Sequence, residues 1–354
     1  MQVGVNYPWF DYGWDFGLGP PEWRGAQMVP RWFAQIDGHL TRLHDLGVRV
    51  LRWFVLADGL TYGTGGQAPR IDSTPAVWHF DPPPVGSDIL DHFQELLRRF
   101  STFNLARLEP LQLLPVLIDF HFCDPGIPIL KSNPVDPDAT VPDYEWVKQG
   151  RADAVADPVK RRIFLDAVLE PLLQVSQQNA HAIYAWELIN EPDWVTNTWH
   201  PNDRNDHSID RDAMQQFLAD GGDRIRRAGF KTTVGFALVE TLLASGVTAD
   251  LNQFHHYPGG TRMLPPQLFD PQSAAIIGEF ATAANDIWPE LGMHRQNVLH
   301  RLRHAQSLGY PVAIAWSFLA RDRHTSWSRA VERDILAFTE QPPPLSSGAP
   351  ENQP

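Results

Sequence analysis

Two glutamates in apolar surroundings are the residues of this sequence best suited to acid–base chemistry. Glu191 lies in the segment WELINEP (Trp186–Pro192), and Glu279 lies in IIGEF (Ile276–Phe280). Unpaired charges are costly inside a protein, so a purely structural role for both carboxyls is the less attractive alternative. Two carboxyl groups that face each other, one protonated and one ionised, are what the cleavage of a glycosidic bond requires.

Other polar residues occur where short apolar segments end. They are Asn6, Arg52, Asp119, His121, Asn190, His255, Tyr257 and Trp316. A strand that is buried on both faces has no structural reason to end in a polar group. In barrels of parallel strands, polar groups at the carboxyl ends of strands are typical of catalytic sites. We therefore expect these residues to gather around Glu191 and Glu279.

The elements that must position these residues are eight short apolar segments, each predicted to be a β-strand. They are Val3–Asn6, Val48–Phe54, Leu111–Phe120, Ile183–Asn190, Thr232–Ala237, Leu251–His255, Ala275–Phe280 and Val312–Phe318. None shows strict alternation, which is typical of parallel strands covered on both faces. Amphipathic segments between them predict helices at Arg31–Leu46, Asp88–Ala106, Pro158–Gln178, Asp210–Ala228, Met293–Leu308 and Trp327–Thr339.

Alternating strands and helices are typical of an α/β fold, either a closed (β/α)8 barrel or a doubly wound open sheet. An open sheet that binds a nucleotide has a glycine-rich turn after its first strand. Here the first strand continues into Tyr7-Pro8-Trp9-Phe10, without such a turn. We therefore predict a single (β/α)8 TIM barrel over residues 1–340. The proline-rich tail 341–354 cannot build a core and is predicted to be disordered.

Three long segments follow the second, third and fourth strands, where a barrel carries its active-site loops. They are Ala57–Ser87, His121–Asp157 and Glu191–Ile209. Each is several times longer than an ordinary connection of roughly 2–6 residues. We expect them to form one wall of a cleft.

Composition restricts the function classes and the compartment. The 354-residue chain has 29 Lys+Arg and 42 Asp+Glu, a net charge of −13, which argues against a nucleic-acid partner. No apolar run approaches the roughly 18 residues of a membrane span. Strand-like sequence from Val3 leaves no room for a signal peptide of roughly 15–30 residues, so we expect a cytoplasmic protein, or a secreted one whose leader has been removed.

Metal and cofactor chemistry is not expected. Cys123 is the only cysteine, so neither an intramolecular disulfide nor a cysteine cluster can form. The spacing of His121, Cys123 and Asp124 fits no common zinc site, and a buried free thiol is the better interpretation.

The chain contains 13 Trp but only 7 Tyr. Nine tryptophans fall at predicted strand ends or in the following loops: Trp9, Trp14, Trp53, Trp78, Trp146, Trp194, Trp199, Trp288 and Trp316. Core packing is the ordinary alternative for any one of them. Their position on a common side of the barrel favours stacking platforms for sugar rings.

Several of these segments resemble one enzyme family. WELINEP resembles the acid/base strand of clan A glycoside hydrolases, and IIGEF resembles the nucleophile strand, three strand–helix units later. VLIDFHF (Val116–Phe122) is similar to the third strand of family 5, which contains cellulases and β-mannanases. VRVLRWFVLADG (Val48–Gly59) resembles the second strand of its mannanases, while HHYP and AWSF resemble the sixth and eighth strands. The resemblance covers roughly residues 3–340.

The resemblance implies roles for the carboxyl pair and its neighbours. Glu191 would be the general acid/base and Glu279 the nucleophile. Arg52 and Tyr257 would hydrogen-bond to Glu279 and keep it ionised, which agrees with the lowered pKa that a nearby Arg gives a carboxyl. We read Glu187, four residues before Glu191, as a structural carboxylate paired deeper in the barrel.

Five further residues would bind or support the sugar. The resemblance implies that Asn190 holds the sugar 2-hydroxyl and that His121 and His255 bind the sugar or orient the carboxyls. Trp316 would be the floor under the reacting ring, and Trp9 is counted as a supporting residue. Asn190 and its neighbour Glu191 point to opposite faces of an ideal strand, so the strand must bulge or turn at its end.

The sequence is thus interpreted as a retaining β-glycoside hydrolase. We expect it to cleave β-1,4-linked glucan- or mannan-type oligo- or polysaccharides by a two-carboxylate double displacement without a cofactor. An exo-acting β-glycosidase or transglycosylase on short oligosaccharides is one alternative. A catalytically idle carbohydrate-binding barrel is the alternative from another class. The sequence gives no indication of oligomeric state.

Overall fold

Eight parallel β-strands close into a barrel in the computed structural model, which describes residues 1–10, 15–17, 30–59, 62, 82–123, 151–199, 209–267, 275–319 and 322–340. Each strand pairs with the next, and β1 pairs with β8 to close the ring. The predicted α/β barrel is confirmed. The strands are β1 (Gln2–Asn6), β2 (Val48–Phe54), β3 (Gln112–Asp119), β4 (Trp186–Asn190), β5 (Thr232–Phe236), β6 (Leu251–His256), β7 (Ala275–Ala281) and β8 (Val312–Trp316).

Helices surround the barrel between the strands. They are α1 (Ile36–Asp45), α2 (Ser87–Asn104), α3 (Asp153–Ala156), α4 (Pro158–Phe164), α5 (Glu170–Gln177), α6 (Arg211–Arg227), α7 (Val239–Ser245), α8 (Val298–Ser307) and α9 (Arg329–Thr339). A π-helical turn, Leu165–Leu169, joins α4 to α5. Every helix among the described residues is too short or too polar to cross a bilayer.

Local capping explains why several helices start later than their apolar pattern predicts. The predicted helix Met293–Leu308 starts at Val298, because the Asn297 side chain accepts a hydrogen bond from the N–H of His300 at 3.0 Å. The predicted helix Trp327–Thr339 starts at Arg329 after Ser328, whose hydroxyl caps it in the same way. Side-chain oxygens at these positions satisfy N–H groups that have no partner within the helix.

The barrel interior changes from apolar to charged along the strands. Val50, Leu114, Ile276 and Ile314 pack together inside the barrel. Two residues further along β2 stands Arg52, which is fully buried and begins a polar layer. A larger apolar core lies between the strands and the surrounding helices. The polar layer therefore lies towards the carboxyl ends of the strands, where the sequence places the candidate site.

Some predictions fall largely outside the described residues. These are the tail 341–354, most of the long segments after β2 and β3, and much of the segment after β4. Trp14, Trp78 and Trp146 also lie outside the described residues.

Candidate active site

The side chain of Arg52 uses all of its N–H groups inside the barrel. Its Nε and Nη2 donate to the two carboxylate oxygens of Glu187 at 2.7 and 2.6 Å. Nη2 also donates to Oδ1 of Asn190 at 2.7 Å, and Nη1 donates to Asn6 at 2.8 Å and to Glu279 at 2.7 Å. A guanidinium has five N–H donors in a rigid plane, so this pattern fixes both its position and its orientation.

Glu187 is held from a second side. Gln253 on β6 donates from Nε2 to Oε2 of Glu187 at 2.9 Å, and its own Oε1 accepts from Thr233 at 3.1 Å. Glu187 is fully buried, and the predicted pairing of this carboxylate inside the barrel is confirmed. A buried ion pair with its remaining hydrogen bonds satisfied orients its members firmly, which here means Arg52.

Glu191 follows β4 in a left-handed backbone conformation, with φ 47° and ψ 52°. The register of β4 against β5 also shifts between Glu187 and Asn190. The predicted bulge or turn at this strand end is therefore confirmed. The N–H of Glu191 donates to the carbonyl of Gly235 at 2.6 Å, and a 3-10 turn starts at Pro192. Asn190 and Glu191 can consequently both direct their side chains into the site.

Both oxygens of the Glu191 carboxyl have partners. Oε1 lies 2.7 Å from Nδ1 of His255, and Oε2 accepts from the indole Nε1 of Trp194 at 2.9 Å. Burial, with the negative charge of Asp119, raises the pKa of Glu191 to about 7. A carboxyl with such a pKa is protonated in a large fraction of molecules at neutral pH and can act as an acid.

Glu279 on β7 has a guanidinium on one oxygen and a phenol on the other. Oε1 accepts from Arg52, and Oε2 accepts from the hydroxyl of Tyr257 at 2.7 Å. The expectation of a lowered pKa is wrong: burial raises the pKa of Glu279 above the usual carboxyl value, and the charge of Glu191 adds to this. Arg52 and Tyr257 act in the opposite direction. These two donors offset only part of the loss of hydration of the charged form.

His255 lies between the two carboxyls. Its Nδ1 is 2.7 Å from Glu191 and 3.6 Å from Oε2 of Glu279. Burial lowers the pKa of His255 to about 4, so its imidazole is neutral at neutral pH. One oxygen of each glutamate and one ring nitrogen of His255 lie within 4.8 Å of one another. Among the described residues, this is the group of side chains that could also hold a metal ion.

His121 lies at the edge of the site, in the 3-10 turn that follows β3. Its Nδ1 is 2.5 Å from Oδ2 of Asp119, whose other oxygen accepts from Nδ2 of Asn190 at 2.7 Å. A chain of contacts thus runs from His121 through Asp119 and Asn190 to Arg52. The structure brings His121 to the site through Asp119, with 29% of its side chain exposed.

Trp316 ends β8 beside β7, the strand of Glu279. Its ring meets that of Trp9 edge to face, with centroids 5.8 Å apart, and Trp9 in turn lies 5.8 Å from Phe54. The indole N–H of Trp316 donates to Asp322 at 2.7 Å. The structure therefore brings the rings of Trp9 and Trp316 together.

Sequence reasoning missed two residues of the loop after β8. Asp322 receives the Trp316 hydrogen bond, and the ring of His324 lies 4.7 Å from that of Tyr257. The carbonyl of His324 accepts from the backbone N–H groups of Thr282 and Ala283, which ties this loop to the end of β7. The sequence did contain an indication of these two residues, because an Asp and a His lie in a polar segment just after the end of a predicted strand.

Fewer tryptophans than predicted are available as stacking platforms at the rim of the barrel. Trp53, Trp199 and Trp288 are buried in the core between barrel and helices. Trp53, for example, follows Arg52 on the same strand, so it must point outwards when Arg52 points inwards. Its N–H donates to Asp15 at 2.6 Å.

Comparison with solved structures gives full-length similarity of fold. The β-1,4-mannanase of the sea hare Aplysia kurodai is 18% identical, with a TM-score of 0.61 over 95% of this chain and 92% of that one. The endo-1,4-β-mannanase of Eisenia fetida is 16% identical, with a TM-score of 0.63 over 96% and 91%. The GH5_18 protein of Streptomyces cattleya in complex with Manβ1-4GlcNAc is 12% identical, with a TM-score of 0.59 over 97% and 82%.

No family model matches the sequence, and no curated protein matches it. At such identities the structural similarity bears on the fold. The predicted resemblance to family 5 of the clan A glycoside hydrolases is confirmed at that level: the chain has the closed eight-stranded barrel of these enzymes.

Proposed function

We propose that this protein is a retaining glycoside hydrolase that cleaves β-1,4-linked glycans. The observation that carries the proposal is the approach of Glu191 and Glu279, whose oxygens lie within 4.8 Å of each other. Retaining enzymes hold their carboxyl groups about 5–5.5 Å apart, whereas inverting enzymes need about 6.5–9.5 Å to admit a water molecule. The geometry therefore supports a double displacement.

In the first step Glu279 is the nucleophile. One of its oxygens attacks the anomeric carbon, and the bond from this carbon to the leaving oxygen breaks. Arg52 and Tyr257 hold the attacking carboxylate in place through one hydrogen bond on each oxygen. Glu191, with its pKa raised to about 7, gives its proton to the leaving oxygen.

In the second step Glu191 acts as a base. It takes a proton from a water molecule that attacks the anomeric carbon, and the bond to Glu279 breaks, which restores both groups. Neutral His255 contacts Glu191 in both protonation states, because its Nδ1 can donate to the carboxylate or accept from the acid. Two inversions at one carbon give net retention.

The sugar would be held by the side chains around this pair. Asn190 uses one amide hydrogen for Asp119, so a second remains for a sugar hydroxyl, as the family resemblance implies for the 2-hydroxyl. Trp316, with Trp9 at its edge, supplies an aromatic surface beside the nucleophile.

We propose β-1,4-linked mannosides as the first substrates to test, ahead of glucosides. Two of the structural neighbours are β-mannanases, and a third is bound to a β-1,4-linked mannoside. These similarities favour mannosides without deciding between polymers and short oligosaccharides. A product profile over time on mannan and manno-oligosaccharides separates endo from exo action, and oligosaccharide products longer than the substrate would reveal transglycosylation.

The decisive experiment follows the first-formed product of an aryl β-mannoside and an aryl β-glucoside by NMR. We expect the β-anomer to form first. Glu279→Ala should abolish turnover, and azide should restore it with formation of the α-glycosyl azide. An α-anomer from the wild-type enzyme would refute the double displacement. Absence of turnover on aryl glycosides, mannan, cellulose and xylan would leave a carbohydrate-binding barrel as the better interpretation.

A further inference from the structure

Trp194 combines two features that the catalytic scheme above does not use. It is 42% exposed, unlike the buried Trp53, Trp199 and Trp288. Its indole N–H also donates to Oε2 of Glu191 at 2.9 Å. An exposed aromatic ring held by a hydrogen bond to the carboxyl of the acid is suited to act on both that acid and its substrate.

The backbone fixes Trp194 relative to Glu191. The two residues are joined by the 3-10 turn Pro192–Trp194, in which the N–H of Trp194 donates to the carbonyl of Glu191 at 3.2 Å. The turn starts at Pro192, whose ring restricts the backbone. The Trp194 ring also lies 6.3 Å from that of Phe120, the residue after β3. The indole is therefore held near Glu191 by its own turn and by a neighbouring loop.

Given the proposed function, we infer that Trp194 is a positioning residue of the acid/base Glu191 and that its exposed face receives the leaving group. The acid must touch the leaving oxygen, so the leaving sugar has to lie beside Glu191. Trp194 is bonded to that carboxyl and presents apolar ring surface to solvent at the same place. An indole combines such a surface with one polar N–H.

The hydrogen bond also fixes one oxygen of Glu191. Trp194 can only donate, so Oε2 accepts its hydrogen bond while Oε1 lies against His255. When the proton leaves, negative charge develops on the carboxylate, and the bond from Trp194 becomes charge-assisted and stronger. The indole thus stabilises the carboxylate that proton transfer creates.

The test compares three variants. Trp194→Phe keeps a ring and removes the donor, while Trp194→Leu removes both. Trp327→Phe is the matched control. Trp327 likewise donates its indole N–H to a glutamate, Glu332 of α9, at 3.0 Å, but this pair lies away from Glu191 and Glu279. Substrates are mannotetraose or cellotetraose, whichever the wild type cleaves faster, and the 2,4-dinitrophenyl glycoside of the same sugar, whose leaving group needs no proton.

For Trp194→Phe we expect kcat/KM on the tetrasaccharide to fall about tenfold, with less than about twofold change on the dinitrophenyl glycoside. Loss of a donor to the carboxylate raises the pKa of Glu191, so the basic limb of kcat/KM should move up by about half a pH unit or more. Trp194→Leu also removes the aromatic ring, so its KM for the tetrasaccharide should be higher than that of Trp194→Phe. Trp327→Phe should match the wild type in all of these measurements.

Melting temperatures of the variants show whether a loss of activity reflects a loss of folding. If Trp194→Phe keeps the wild-type pH profile and leaving-group dependence, the positioning role is refuted. If Trp194→Leu binds the tetrasaccharide as well as Trp194→Phe does, the inference that the Trp194 ring receives the leaving group is refuted. A wild type that cleaves none of these substrates refutes the proposed function instead, so the two failures are distinct.

Discussion

Gly235 on β5 lies where a side chain would collide with the charged layer of the barrel. A Cβ atom built at this position would lie 2.3 Å from Oε1 of Glu187, 2.8 Å from Nε2 of Gln253 and 3.1 Å from Nε2 of His255. Real Cβ contacts below 3.0 Å are essentially absent from proteins. We therefore predict that Gly235→Ala forces Glu187 or the backbone of β5 to move.

Neither movement is cheap. Glu187 is held by two hydrogen bonds from Arg52 and one from Gln253, all within the barrel. Overpacking a well-filled core costs about 1–3 kcal/mol, and breaking a buried ion pair costs about 3–5 kcal/mol. Because the structure can relax partly, neither cost applies in full, and Gly235→Ala should lower the free energy of unfolding by about 2–4 kcal/mol. The carbonyl of Gly235 also accepts the N–H of Glu191, so a shift of β5 displaces Glu191, the proposed acid.

The measurement is urea denaturation followed by circular dichroism, with kcat on an aryl β-glycoside determined in parallel. Gly38→Ala is the matched control: Gly38 lies in α1, and nothing is within 4 Å of a Cβ atom there. Alanine is the better helix former, so this variant should gain about 0.5–1 kcal/mol and keep full activity. A Gly235→Ala protein with wild-type stability and kcat would refute the close packing described around Glu187.

Three further outcomes test the site. Activity should fall as pH rises through about 7, because Glu191 loses its proton there. On substrates with good leaving groups, Glu191→Gln should remove this decrease of activity at high pH. If the decrease remains unchanged in Glu191→Gln, it belongs to another group. Arg52→Lys replaces five N–H donors in a plane with three donors on one nitrogen, so kcat should drop by about 10²-fold or more in steady-state assays. Near-wild-type activity would contradict the role of the Arg52 hydrogen bonds in holding the site. Trp316→Ala should lower kcat/KM by about 10²-fold or more, about 3 kcal/mol of transition-state binding, whereas a loss below about fivefold in a folded protein would remove Trp316 from the site.

Much of the architecture could be predicted from the sequence, because buried parallel strands require continuous apolar segments. All eight predicted strands occur, with errors of a few residues at their ends. Ile183, predicted as the start of the fourth strand, makes only an isolated bridge to Leu113, and β4 starts at Trp186. Helix starts were less predictable, since capping side chains such as those of Asn297 and Ser328 override the apolar pattern.

The site was predictable where position along a strand decides the direction of a side chain. Alternation along β2 brings Arg52 inwards and sends Trp53 outwards, and the same reasoning could have removed Trp53 from the expected rim. It could not have done so for Trp199 and Trp288, which lie in loops that fold back into the core. The raised pKa of Glu279 was also out of reach, because it depends on the balance between burial and the neighbouring charges and hydrogen-bond donors, which only the structure gives.

The left-handed conformation of Glu191 connects the fold of the chain to the proposed chemistry. Outside glycine this conformation costs on the order of 1–3 kcal/mol and persists where the surroundings enforce it. Here the N–H of Glu191 is bound by β5, and the chain continues directly into the turn Pro192–Trp194. An extended Glu191 would point away from Asn190, towards the helices. The left-handed conformation therefore lets two consecutive residues, Asn190 and Glu191, face the site as the proposed sugar donor and the proposed acid. The same turn places the indole N–H of Trp194 on the carboxyl of Glu191.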